Sequence, residues 1–250
     1  MQRYFINERP ADERTVTIAG EDFHHLSRVM RMQAGDRLFV VFPSKEAAIA
    51  EVEEISKDYA QAFIVEWVTD DKELPVKVAI ASGLPKGDKL EYVIQKGTEL
   101  GAGCFIPFHA DRSVVKLDAK KAEKKTERWS KIAKEAAEQS HRNLIPEVYQ
   151  PMNFDQLIQL GTEYSYKIFA YEEEAKQGET AAFHKVLKSM KPDDDLIVVF
   201  GPEGGISDKE VKKLTDNGFI PCGLGPRILR TETAPLYVLS AVSYQFELMR

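Results

Sequence analysis

The stretch "LIVVFGPEGGISDKE", residues 196–210, decides the fold of most of this chain. Five apolar residues, Leu196 to Phe200, read as a buried strand, and Gly201-Pro202-Glu203-Gly204-Gly205 breaks it. Ser207 and Glu210 then stand in the Ser-x-x-Glu arrangement of a helix capping box. Strand, glycine turn and helix N-terminus in that order belong to an α/β layer, whose ligands bind in the crevice beyond the carboxyl ends of the strands. Gly201, Gly204 and Gly205 are expected to permit positive φ and to let a ligand approach bare main chain.

Outward from this point the same alternation continues. "VKVAIA" (76–81), "CFIPF" (104–108) and "YKIFAY" (166–171) read as strands. Between them, "DKLEYVIQKGTELG" (88–101) reads as a helix with Asp88 and Glu91 in capping-box positions and Gly101 behind its end. A longer helix spans 120–142, with an apolar stripe through Trp129, Ile132 or Ala133, and Ala136; another covers 208–218. Strands alternating with helices predict a largely parallel sheet. The first 70 or so residues differ. Short β-rich runs at 15–20, 37–42, 47–55 and 60–68 predict a small antiparallel barrel. Residues 21–36 between the first two predict a helix, Phe23, Leu26, Val29 and Met30 facing inward and His24, Arg28 and Arg31 outward. "TDDKELP" (69–75) reads as a linker, dividing the chain into domains 1–72 and 73–250.

Composition narrows the function classes. A chain of 250 residues that is 43% hydrophobic and 30% charged suits a globular protein. No apolar run approaches the roughly 18 residues of a membrane span, and the start has no signal-peptide pattern, so a cytoplasmic protein is expected. Cys104 and Cys222 are expected as reduced thiols, and no His/Cys spacing suggests a metal. The net charge of −6 argues against a non-specific nucleic-acid coat, yet residues 112–142 hold ten Lys/Arg against five Asp/Glu. That basic segment reads either as a solvated helix face or as a local anion-binding surface.

The glycine string is no phosphate loop, because the Gly-x-x-x-x-Gly-Lys-Ser/Thr pattern is absent. Nor is there a dinucleotide fingerprint, since "GAGCFI" (101–106) leads into a strand rather than out of one. Glu203 at the helix entrance opposes a free anion, so a neutral or cationic ligand held by main chain fits better. A second string, "LGPRILRTETAP" (224–235), places Arg227 and Arg230 around Ile228 and Leu229 and then predicts a helix capped by Thr233 with Pro235 in its first turn. Arginine beside glycines suits phosphate or carboxylate recognition by its planar fork.

"HHLSRVMRMQAGD", "LPKGDKLEYVIQKGTELG", "FGPEGGIS" and "LGPRILRTETAP" together resemble, over nearly the whole chain and in order, the 16S ribosomal RNA (uracil-N3)-methyltransferases of the SPOUT superfamily. One departure is "VFPSKEAAIA" (41–50), where the family's pattern has a glycine-containing hairpin. The resemblance implies a PUA-like RNA-binding barrel followed by an α/β domain with a deep trefoil knot. It further implies S-adenosyl-L-methionine as methyl donor, a homodimer, and 16S rRNA or the assembled small ribosomal subunit as substrate. Carried over, the cofactor pocket comprises Phe200, Gly201, Gly205, Leu224, Gly225, Ile228 and Leu229.

Methylation at uracil N3 requires loss of the imide proton. Arg230 is expected to stabilise the resulting anion by donating to its carbonyl oxygens. Glu203, Glu232 and His141 are candidate proton acceptors, with Glu203 alternatively a brace for its loop. RNA contacts are expected from His25, Arg28 and Arg31 in the small domain and from Arg112, Lys116, His141 and Arg142. The helix at 234–249 is apolar on more than one face, as a dimer interface or a core helix would be. The alternatives are a SPOUT enzyme with another rRNA or tRNA target, and a non-catalytic RNA-binding assembly factor on the same fold.

Overall fold

The computed structural model describes residues 1–10, 14–69, 72–173 and 181–249. Its contacts divide the chain into two units, Met1–Glu73 with Ala137–Leu144, and Leu74–Ala136 with Ile145–Arg250. Of the expected linker, Asp70 and Asp71 lie outside the described residues.

The first unit contains β1 (Arg3–Phe5), β2 (Thr15–Ala19), helix α1 (Gly20–His24), β3 (Arg37–Val41), β4 (Ala47–Ile55) and β5 (Tyr59–Val68). They form a five-stranded sheet in the order β1-β3-β4-β5-β2. All pairings are antiparallel except that of β1 with β3, which is parallel. Three residues are too few to show a period of two, so β1 has no signature in the sequence. Alternation sets the buried face of β5: Ala60, Ala62 and Ile64 point inward, whereas Tyr59 and Phe63 are exposed. Leu26 packs into this core, but Val29 and Met30 do not, being 61% and 39% exposed. The cause is a π-helical turn, His25–Val29, in which the Met30 N–H donates to His25 O at 2.9 Å. The wider turn rotates the expected apolar stripe off the core after Leu26. Within this unit Arg142 is buried and its guanidinium is gripped by the Glu73 carboxylate.

The second unit runs β6 (Lys77–Gly83), α2 (Lys89–Glu99), β7 (Cys104–His109), α3 (Ala119–Gln139), β8 (Glu147–Val148), β9 (Met152–Asn153), α4 (Phe154–Gly161), β10 (Tyr166–Ala170), α5 (Ala181–Ser189), β11 (Asp195–Phe200), α6 (Asp208–Asp216), β12 (Ile220–Cys222) and α7 (Thr233–Ser243). The last residues of α3 are counted with the first unit. Every pairing in its sheet is parallel, in the order β12-β10-β11-β6-β7-β8, with β9 beside β7. Both faces are covered, which is why β11 reads as an unbroken apolar run. Leu196, Val198 and Phe200 enter one core layer with Val238 and Leu239 of α7. Ile197 and Val199 enter the opposite layer with Phe108 and Leu214. On α3 the stripe Trp129, Ala133 and Ala136 is buried as its spacing predicts.

Two expected caps are different. Asp88 precedes α2 without a side-chain cap bond, and Glu91 instead receives hydrogen bonds from Arg128 and Lys125 of α3. Helix α7 begins at Thr233 with Glu232 in the cap position, again without a side-chain cap bond, because that carboxylate faces Lys89. The Ser207–Glu210 capping box of α6 is present.

Candidate active site

Strands β10, β11 and β12 are neighbours, and their carboxyl ends, Ala170, Phe200 and Cys222, open side by side. The loops leaving these three ends wall a cavity of about 500 Å³. Phe200, Gly201, Gly205, Leu224, Gly225, Ile228 and Leu229, all expected at a cofactor pocket, line it together. The segment Ala170–Glu173 behind β10 lines it too and was missed in the sequence. Its signal was available: "YKIFAY" ends a strand in the same layer, and neighbouring strand ends share one crevice.

The glycines serve different ends. Only Gly205 among the first three has a positive φ, 72°. A Cβ on Gly201 would stand 2.7 Å from the carbonyl carbon of Gly205, so this position is bare because the loop folds back on its own main chain. Gly204 lies against Arg112, whose Cβ would be 3.0 Å from an added methyl.

The turn is pinned from outside. Arg112 Nη1 donates to the Gly204 carbonyl at 3.1 Å. Ser207 Oγ donates to Asp111 Oδ2 at 2.8 Å, and the Asp111 N–H donates to Glu210 Oε1 at 2.8 Å. Glu203 accepts from the Lys86 N–H at 3.1 Å and from Lys89 Nζ at 2.8 Å. Lys89 Nζ also lies 3.6 Å from Glu232 Oε2. One lysine therefore ties the first glycine string to the end of the second, a role that the sequence did not indicate. Burial opposes ionisation of Glu203, but Lys89 and the main-chain N–H groups outweigh it and hold the carboxyl below its ordinary range. The Lys89 ammonium is correspondingly raised, first by its hydrogen bond to Glu203.

Arg227 and Ile228 line the cavity, and Ile228 is 74% exposed. Arg230 is exposed but is not among the residues lining the cavity, and its carbonyl accepts from the N–H groups of Thr233 and Ala234, which starts α7. Of the residues expected to meet RNA, Arg28, Arg31, Arg112, Lys116 and His141 are exposed. Arg31 and His141 hold positive φ, 52° and 60°. His25 is half-buried, its Nδ1 3.1 Å from the Tyr4 hydroxyl. The expectation for Arg142 is corrected: it is 2% exposed and consumed by Glu73, so its guanidinium offers RNA no surface. Partial burial, then the charges of Arg3, the N-terminus and Lys72, lower the His141 pKa.

Among the described residues no group of three or more His, Cys, Asp and Glu could hold a metal ion, and no helix is long and apolar enough to cross a membrane. Cys104 and Cys222 are free thiols, and burial pushes the Cys104 thiol up to about 11.

Comparison with known proteins finds two families along the chain. Residues 18–65 match the family described as RNA methyltransferase PUA domain, and residues 72–243 the family described as RNA methyltransferase domain. Ribosomal RNA small subunit methyltransferase E of Bacillus subtilis is 54% identical, covering 100% of this chain and 99% of that protein. Its counterpart from Synechocystis is 34% identical over 94% of this chain and 75% of its own length. The crystal structure of ribosomal RNA small subunit methyltransferase E from Neisseria gonorrhoeae, bound to S-adenosyl methionine, is 27% identical. It superposes with a TM-score of 0.85 over 98% of both chains. A PUA-like unit with an α/β methyltransferase unit, a cavity at three parallel strand ends and these similarities lead to one assignment: the chain belongs to the ribosomal RNA small subunit methyltransferase E family of RNA methyltransferases.

Proposed function

We infer that the protein methylates N3 of a uridine in 16S ribosomal RNA of the small subunit, with S-adenosyl-L-methionine as donor. The observation that carries this reading is the cavity between the two glycine strings, in a chain 54% identical over its length to a ribosomal RNA small subunit methyltransferase E. Its residues suit the cofactor. About 500 Å³ lies in the range of small-molecule sites, with main chain of Gly201–Gly205 on one side and apolar Leu224, Ile228 and Leu229 on the other. When bound, the cofactor supplies an electrophilic methyl group on a sulfonium.

This chain's own residues have to orient the uracil and handle its N3 proton. Arg230 donates to the uracil carbonyl oxygens as negative charge develops there. Glu203, held ionised by Lys89, is a weak proton acceptor and braces the first loop. Glu232 is the other carboxylate proposed as acceptor, with its Oε2 3.6 Å from Lys89 Nζ. A uracil N3 edge is hidden in a base pair, so the target is unpaired or flipped out. His25, Arg28, Arg31, Arg112, Lys116 and His141 are the proposed RNA contacts, with residues 1–72 as the RNA-binding domain and 73–250 as the methyltransferase domain. A trefoil knot through the two strings, a SPOUT homodimer using the exposed Tyr237 of α7 with Tyr244 and Leu248 of the π-helical turn that follows it (Tyr244–Leu248), independence from metal, and a cytoplasmic location complete the proposal.

Methyl transfer from labelled S-adenosylmethionine to small subunits lacking the modification tests it. The expected product is N3-methyluridine, with a loss of about a hundredfold or more in Arg230→Ala at unchanged folding. Absence of transfer to subunits and to free 16S RNA, with no cofactor binding, overturns the reading in favour of a non-catalytic RNA-binding factor; a different methylated nucleoside points to another target.

A further inference from the structure

We propose that a second cleft, in the first unit, binds one unpaired, amine-bearing nucleobase of the RNA together with an adjoining phosphate. The proposal rests on the RNA methyltransferase reading but concerns a nucleotide other than the methylated uridine. The cleft has a volume of about 380 Å³, and its lining includes Arg9, Lys45, Glu46, Trp67, Thr69 and Asn143. That volume falls in the range of small-ligand sites.

Three observations converge on it. Trp67 is 37% exposed, its indole backed by buried Phe42 with ring centroids 5.5 Å apart. The Arg9 guanidinium lies 4.9 Å from the Trp67 ring centroid. The guanidinium lies over the indole, so the platform is the Arg9–Trp67 stack, and an unpaired base stacks on the outer guanidinium plane and the exposed indole edge.

The second observation is strain. Lys45 has a φ of 67°, a left-handed conformation that suits glycine or asparagine. It sits in the β3–β4 turn, where the Lys45 N–H donates to Phe42 O at 2.9 Å and the Phe42 N–H to Glu46 O at 2.9 Å. Its ammonium makes no ion pair among the described residues. A lysine held in a conformation that glycine adopts more cheaply, at the rim of a cleft, is strain kept for a contact. The contact that a solvated ammonium offers RNA is with phosphate.

The third is the carboxylate. Glu46 Oε2 accepts from Arg9 Nη1 at 2.7 Å and from Ser44 Oγ at 2.8 Å, while Oε1 takes no hydrogen bond among the described residues. A carboxylate oxygen accepts from the exocyclic amine of cytosine, and adenine and guanine carry the same kind of donor. Uracil offers only a ring N–H between two carbonyl oxygens, which the carboxylate repels. The cleft therefore selects against uracil and takes a neighbour of the methylated base.

The protein has two tryptophans, and Trp129 is buried at 3% exposure, so an emission change on RNA binding reports Trp67. The experiment titrates the full-length protein with short labelled oligoadenylate, oligocytidylate and oligouridylate, reading label anisotropy and tryptophan emission together. The proposal expects quenching by the adenylate and cytidylate with uridylate weaker, and binding about tenfold weaker in Trp67→Ala. Trp67→Phe is expected to keep most affinity while losing the quench, which separates stacking from misfolding. Lys45→Ala is expected to flatten the dependence of log affinity on log salt by about 0.7. Wild-type binding with unmoved tryptophan emission, or equal affinity in Trp67→Ala, overturns the cleft alone. Equal quenching by a duplex overturns the unpaired base. Failure of the wild type to bind any RNA overturns the cleft together with the reading beneath it.

Discussion

Lys89 Nζ stands 2.8 Å from Glu203 Oε1, joining the first turn of α2 to the first glycine string. A cation in the first turn of a helix is unfavourable against the helix dipole, and here two carboxylates, Glu203 and Glu232, offset it. Lys89→Met is expected to weaken S-adenosylmethionine binding by about tenfold or more, because both walls of the cavity lose a common tether. Lys89→Arg is expected to restore most of it. Calorimetric titration of both variants checks this, and equal affinity in Lys89→Met sinks the tether.

Glu91 supplies a pH dependence. Burial raises its pKa, but the hydrogen bonds from Arg128 and Lys125 outweigh burial and hold the carboxyl below its ordinary value. A carboxyl depressed in the folded state contributes stability above its unfolded pKa of about 4.3 and loses it as pH falls through the folded one. The melting temperature of Glu91→Gln is therefore expected to lie below that of the wild type at pH 7, and the gap to close on acidification below that range. A gap independent of pH would contradict the ionic origin.

Glu73 and Arg142 form a nearly dry pair, with side chains 16% and 3% exposed. Removing one partner leaves the other charge buried, a loss of about 3–5 kcal/mol. Glu73→Ala is expected to lower the denaturation midpoint by a corresponding amount. A change below about 1 kcal/mol would show that Arg142 finds water or another acceptor.

Lys45→Gly separates stability from RNA binding. Relief of the left-handed φ is expected to raise stability by about 0.5–1 kcal/mol, part of the gain being offset by the freer unfolded chain. The same change removes the ammonium from the cleft, so RNA affinity is expected to fall as stability rises. Chemical denaturation and anisotropy on one preparation check both signs.

Legibility in the sequence followed the strength of local patterns. Strand β11 and the Ser207–Glu210 cap were readable because an apolar run and a capping box each span only a few residues. The seven expected residues that line the cavity followed from two strings and a resemblance, since loops at neighbouring strand ends share one crevice. The features that stayed hidden were set by long-range partners. Nothing near Arg142 announces Glu73, nearly seventy residues earlier, so a buried arginine read as an RNA contact. Asp88 and Glu91 matched a cap, but the charges on α3 drew Glu91 away. The π-helical turn after His24 is likewise invisible to a pattern of period 3.6, and it moved Val29 and Met30 to the surface.

The first glycine string has a consequence for inhibition. Gly201 has no room for a methyl group against Gly205, Gly204 is crowded by Arg112, and Gly205 needs its left-handed φ. This wall of the cavity is thus main chain that point mutation cannot redecorate without disturbing the turn. A competitive inhibitor that directs its hydrogen bonds to these peptide groups, rather than to Ile228 or Arg227, would leave few single-codon routes to resistance.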